Sequence, residues 1–191
     1  NHVMTTSSQD IVIDNAAASC GKCHIRGEAT SIPASGGFIK HHEQYNELLQ
    51  SPHENLDCTA CHDPHKKSQF SIRRTCTDCH EEYADEKKAF KGLGRKHVKR
   101  GITCTDCHMP FAAKSAVKFN EFKGDIRSHL FDISDDKNHE LFSEDGTTAT
   151  GPLTGEWSCL GCHTDIQEKF GAKERPDLAI KWARKGVKKI H

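Results

Sequence analysis

Five short runs with the same spelling, C-x-x-C-H, constrain this chain more than anything else in it. They are Cys20-Gly21-Lys22-Cys23-His24, Cys58-Thr59-Ala60-Cys61-His62, Cys76-Thr77-Asp78-Cys79-His80, Cys104-Thr105-Asp106-Cys107-His108 and Cys159-Leu160-Gly161-Cys162-His163. All 10 cysteines of the 191-residue chain fall in these pairs. With 14 histidines as background, five CxxC pairs would each be followed by His by chance about two times in a million. The spacing is that of c-type heme attachment. Two thiols add to the two vinyl groups of one porphyrin, and the next residue falls beneath the iron.

Rival readings explain less. Two CxxC pairs can build a structural zinc site, but five pairs leave one over, and zinc requires no adjacent His. A redox CxxC is expected once, near a βαβ pattern. A ten-cysteine disulfide framework leaves the histidines unexplained. The expected cofactor is therefore heme c in five covalent copies, each with its iron. Its attachment residues are Cys20, Cys23, Cys58, Cys61, Cys76, Cys79, Cys104, Cys107, Cys159 and Cys162. The proximal ligands are His24, His62, His80, His108 and His163.

Composition bears on the fold. Hydrophobic residues make up 35% and mean hydropathy is −0.72, against a usual apolar share of about 45–50%. Five porphyrins would supply the missing apolar surface. The expected architecture is mostly irregular coil with short α-helices and little β, a multiheme cytochrome c wrapped around a chain of stacked hemes. One domain, 1–191, is expected, with a polar N-terminal segment at 1–19. Folding should be coupled to cofactor binding, so that the heme-free chain does not fold. Charges balance at 27 basic and 27 acidic, with no basic stripe for nucleic acid. No apolar run reaches a membrane span, and no export signal opens the chain. Because c-type heme is attached outside the cytoplasm, the expected location is extracellular or periplasmic, with a signal peptide removed.

Along the chain, Ile11-Val12-Ile13 is a β-like run, and Gly27 to Gly37 reads as loop. Residues 41–50 read as a short helix, with Tyr45, Leu48 and Leu49 on a face that could meet a porphyrin. A charged helix is expected at 81–90. The basic run from Arg95 to Arg100 contains His97. Asp132 to Gly151 reads as a solvated acidic loop without the EF-hand pattern, with His139 exposed. The clearest amphipathic helix is 177–190, opened by Pro176.

Ligand counting carries the functional argument. Nine histidines remain beyond the five proximal ones, but only Met4 and Met109 are available as thioethers. Met109 follows His108 directly and cannot cap the same iron from the other side. General His–Met ligation is thus excluded, while five bis-His irons are affordable in residue count. The distal candidates are His97, His129, His53 and His65, then His42 and His191. His2, His41 and His139 stay open, including as ligands to a neighbouring subunit. Two imidazoles fill an iron's axial positions and leave an electron carrier with no substrate position.

His53, Cys61-His62-Asp63-Pro64-His65, His97 before Cys104, Cys107-His108-Met109-Pro110 and Gly124-Asp125-Ile126-Arg127-Ser128-His129-Leu130-Phe131 resemble the multiheme cytochrome c superfamily. That group includes quinol-oxidising tetraheme proteins of nitrate and nitrite respiration, nitrification tetraheme cytochromes and extracellular filament-forming cytochromes. The resemblance implies closely packed hemes in alternating parallel and perpendicular pairs, with distal histidines from distant positions. It departs from the membrane-anchored quinol oxidisers in lacking a visible anchor. It departs from the nitrite reductases in lacking a motif that ends in Lys. The expected role is electron transfer rather than enzymatic catalysis. The carrier would be a soluble periplasmic shuttle, or a homo-oligomer or homopolymer (a filament, or nanowire) with inter-subunit His ligation. The expected partners are redox proteins or extracellular acceptors. The alternative is a multiheme reductase with one five-coordinate heme.

Overall fold

The computed structural model describes residues 16–28, 30–92, 95–169 and 176–187. The β-like run at 11–13, His2 and His191 lie outside them. Coil predominates, as composition implies. Nine short helices occur among the described residues: α1 (Ala16–Gly21), α2 (Gln44–Leu49), α3 (Cys58–Cys61), α4 (Glu86–Ala89), α5 (Arg95–Lys99), α6 (Cys104–His108), α7 (Gly155–Cys159), α8 (Thr164–Lys169) and α9 (Pro176–Val187). The helix expected at 41–50 is shorter than its reading. The one expected at 81–90 is split into a 3₁₀ turn, Glu81–Tyr83, and α4.

A small sheet stands at the centre. Its strands are β1 (Ile32–Ser35), β2 (Phe38–Lys40), β3 (Ala113–Lys114) and β4 (Thr148–Ala149), in the order β3-β2-β1-β4. β1 and β2 form a hairpin with Ala34 opposite Ile39. Its two turn residues, Gly36 and Gly37, have φ of 60° and 75°, the left-handed pair that a two-residue hairpin turn needs. β4 joins β1 antiparallel, and β3 joins β2 parallel.

The sheet buries Ile32, Phe38 and Ile39 against Leu130, Leu141, Leu153 and Trp157. Trp157 meets Phe38, Phe122 and Phe142 edge-on, with ring centres 5.3, 5.5 and 5.7 Å apart, the arrangement that the ring quadrupole favours. Composition led us to expect little core without cofactors. The structure places a protein core in the sheet region, because the few large apolar residues concentrate there. That core includes Leu141 and Ala149 of the stretch read as a solvated loop.

A second cluster, around Leu160, Ala179 and Ala183, docks α9 against α7. Gly155 permits the approach: a Cβ there would stand 2.8 Å from Val187 Cγ2 and 3.0 Å from the Ala183 carbonyl. Arg184 pins the same pair. It donates to both oxygens of Glu156 at 2.8 and 3.0 Å, and to both oxygens of Glu140. No helix among the described residues is long and apolar enough to cross a membrane.

Candidate heme-ligating histidine pairs

Each C-x-x-C-H run closes into one turn. The amide of His24 donates to the Cys20 carbonyl at 2.9 Å, and the same first-Cys contact recurs at His62, His80 and His163 at 2.8, 2.9 and 2.9 Å. In the fourth run the turn is helix α6 itself. A turn of 3.6 residues brings both thiols and the imidazole to neighbouring positions. At two motifs a Thr-Asp capping box fixes that turn, Thr75 with Asp78 and Thr103 with Asp106.

The runs follow one another in space in chain order. The Cys58 thiol lies against that of Cys20, and Cys61 neighbours Cys79. The Cys76 thiol lies against Cys104, and Cys107 neighbours Cys159 and Cys162. Burial pushes the Cys58 and Cys107 thiols up to about 11 and the Cys159 thiol up to about 12. A redox-active CxxC needs the opposite shift. All ten cysteines are free of disulfides.

Four proximal histidines face a second histidine. Ring centres are 6.0 Å apart for His24 and His42, and 6.3 Å for His62 and His129. They are 5.9 Å apart for His80 and His53, and 5.8 Å for His163 and His97. Two imidazoles sharing one metal, with bonds of about 2.0–2.1 Å each, have centres roughly 6 Å apart. Among the described residues no group of three His, Cys, Asp or Glu could hold a metal ion. Facing pairs without a third donor suit an iron whose other four ligands belong to a porphyrin, and do not suit zinc. Apolar side chains around the second and third runs stand open as well: Phe70 is 63% and Ile72 60% exposed. A porphyrin would cover such surface.

The proximal imidazoles are also oriented for a metal. Nδ1–H of His24 donates to Gln44 Oε1 at 3.1 Å, and that of His108 to the Phe131 carbonyl at 2.7 Å. His62 Nδ1 lies 3.4 Å from Ser71 Oγ, whose own hydrogen goes to the Ser68 carbonyl. At His80 and His163 the Nδ1 partners are Glu82 and Asp165, each at 4.0 Å. A proton held on Nδ1 leaves Nε2 as the lone-pair donor. Desolvation pushes His129 down to about 4, with His62 adding to the effect. That shift favours the neutral form, the one a ligand needs.

The other candidates lie elsewhere. His65 is exposed and pairs with none of the proximal rings among the described residues. His41 accepts from the Arg26 guanidinium at Nε2, 2.7 Å away. His139 is half-buried rather than exposed, because its Nε2 donates to the Pro152 carbonyl at 2.8 Å. Tyr45 packs on the first run: its ring stands about 3 Å from where a Gly21 Cβ would be. His108 has no second histidine ring at a comparable distance among the described residues.

Residues that sequence reasoning missed lie one shell out. Gln44 and Ser71 carry no motif signal. Phe131 sits at φ 61° and His42 at φ 69°, a conformation uncommon outside glycine that clusters at functional sites. The Phe131 ring touches those of His53 and His129, with centres 4.6 and 5.8 Å away.

No protein-family profile matches the chain. No curated protein matches it either. Among solved structures it is similar to the octaheme sulfite reductase MccA, form II, of Wolinella succinogenes. The TM-score is 0.50 and identity 18%, over 68% of this chain and 26% of that one. The chain thus spans about a quarter of that protein's length. At that identity the likeness is one of fold alone, to part of an octaheme protein. One expectation is corrected here. The ligand count favours a carrier and no enzyme, yet a solved structure of similar fold is a sulfite reductase. Filling of axial positions by histidine, on which that expectation rested, is also incomplete among the described residues, since His108 lacks a facing ring.

Proposed function

We propose that this chain transfers electrons along five covalently bound c-type hemes, held at the five C-x-x-C-H turns in chain order. The four facing histidine pairs carry the reading. His24 with His42, His62 with His129, His80 with His53 and His163 with His97 would each hold one iron from both sides. Bound heme supplies a one-electron iron couple whose potential depends on its axial ligands and surroundings. The protein's part is to fix the imidazoles through Nδ1, exclude Met from these four positions, and bring successive attachment turns together.

His108 differs. With no facing histidine among the described residues, its iron is the place where electrons would leave the row. In the first reading that position is open and a small oxidised substrate binds there, as in a multiheme reductase. A second reading rests on His65, an exposed histidine beside no proximal ring among the described residues. In it, a histidine of one copy caps the His108 iron of the next, joining copies into an extracellular filament. Light scattering with negative-stain imaging, followed by carbon monoxide titration of the same sample, separates them. Carbon monoxide bound by one heme in five, in particles of one or two copies, supports the open position. Threads that bind none support the filament. Carbon monoxide binding by several hemes would overturn the four-pair arrangement.

A further inference from the structure

We propose that the buried face of α2 is a divalent-cation site, formed by Glu43, Asn46 and Glu47 and suited to calcium. Glu43 stands at the N-cap of α2, and the other two follow at i+3 and i+4, so the three share one helix face. All three have 0% exposure. A pair of carboxylates removed from water is costly unless each charge is compensated. Among the described residues neither carboxylate has an ion-pair partner within 4 Å.

The hydrogen bonds leave one oxygen unused on each side chain. Glu43 Oε2 accepts from the Arg26 amide at 3.3 Å. Asn46 Nδ2 donates to the Glu28 carbonyl at 2.9 Å and to that of Ser31. Those two bonds fix the amide and turn its Oδ1 the other way. Glu47 Oε2 accepts from Ser128 Oγ and from the His129 amide, the latter at 2.6 Å. What remains is Glu43 Oε1, Asn46 Oδ1 and Glu47 Oε1, each buried without a partner. Asn46 is the independent observation. A fully buried amide oxygen aimed away from its own hydrogen bonds and left without a donor, next to two carboxylate oxygens in the same condition, points to a ligand held by all three.

Two carboxylate oxygens and an amide oxygen are hard donors, without nitrogen or sulfur. That set selects calcium or magnesium over zinc and copper. Calcium, taking 6–8 oxygens in a flexible shell, tolerates three donors on one helix turn, whereas magnesium demands a near-ideal octahedron. The site would also clamp three histidine-bearing segments together. Arg26 follows His24, Glu43 follows His42, and Ser128 precedes His129. The cation is therefore placed to set the first two histidine pairs while touching neither.

The test uses the heme-loaded protein. Its calcium content is measured, the protein is stripped with chelator, and calcium and then magnesium are added while Tm is followed. About one chelatable calcium per chain is expected, with a Tm that falls on stripping and recovers with calcium far more than with magnesium. Glu43→Gln and Asn46→Ala should each weaken calcium binding at least tenfold. Asp145→Asn, in the exposed acidic loop, should leave it unchanged. A chain that carries no calcium and whose Tm ignores it would overturn the proposal. So would calcium binding that both α2 substitutions leave intact. If a variant fails to fold, the titration of the unmodified chain decides alone.

Discussion

Phe131 holds His108 through its backbone: the Phe131 carbonyl accepts from His108 Nδ1 at 2.7 Å, in a residue whose φ is 61°. The same residue sets its ring against His53 and His129. One residue in a left-handed conformation thus touches His108 of the fourth run and the two histidines that lie beside His80 and His62. Glycine adopts this φ freely, so Phe131→Gly keeps the carbonyl in place and removes only the ring. The expected result is altered spectra for the His62 and His80 irons, with the His108 iron unchanged. Phe131→Pro cannot adopt the conformation at all and should disturb all three. Resonance Raman of the heme-loaded variants checks both.

His97 lies 5.8 Å from His163, and Trp182 packs on the same ring at 5.3 Å, both measured between ring centres. Methionine ligation raises heme potentials. His97→Met should therefore move one potential of the five upward, by a fraction of the roughly 0.8 V that axial ligation spans. His97→Ala should turn one iron high-spin. A redox titration in which no potential moves would remove His97 from the ligand set.

Arg184 and Glu156 form a nearly buried pair, with side chains 12% and 7% exposed. Removing one partner of such a pair strands the other charge. Arg184→Met is expected to cost about 3–5 kcal/mol, while the exposed Glu140→Gln costs under about 1 kcal/mol. Denaturant unfolding of both variants compares them. Loss of α9 docking should also loosen the fifth attachment turn, since Cys159 ends α7.

Asp125 predicts a pH dependence. The amides of Ser115, Ala116 and Val117 donate to its carboxylate at 2.7, 2.9 and 3.0 Å. They hold its carboxyl at about 2, below the ordinary value of 3.8. With the folded value depressed, the stabilisation is present above about pH 4 and is lost as pH falls towards 2. Asp125→Asn should be less stable than the parent at pH 5 and nearly equal to it at pH 2. Thermal melts across that range test it.

The five turns of the candidate site are legible in the sequence, because C-x-x-C-H is a fixed spelling. The sequence also offers His42, His53, His65, His97, His129 and His191 as distal candidates. Their partners are not legible, because spacing along the chain says nothing of which turn the sheet brings opposite. His129 lies beside His62 in a segment that Glu47 of α2 holds at Ser128 and His129, downstream of the strand β3 that pairs with β2. The Nδ1 partners were invisible for a related reason: Gln44, Ser71 and a backbone carbonyl have no compositional signature. The reading of 41–50 placed Tyr45, Leu48 and Leu49 towards a porphyrin. Hydropathy assigns Glu43, Asn46 and Glu47 to solvent, yet all three are fully buried, alongside Leu48. The Trp157 core was hidden by averaging, because a low apolar share over 191 residues conceals one dense region.

The most direct measurement is intact mass and electron paramagnetic resonance on the same purified sample, with spins counted per chain. The mass of five covalent hemes and at least four low-spin irons with paired imidazole ligation are expected. Those four signals should be lost one at a time in His42→Ala, His53→Ala, His97→Ala and His129→Ala. Fewer than five hemes by mass, zinc in place of iron, or a low-spin count that these substitutions leave unchanged would contradict the arrangement of five hemes and four histidine pairs.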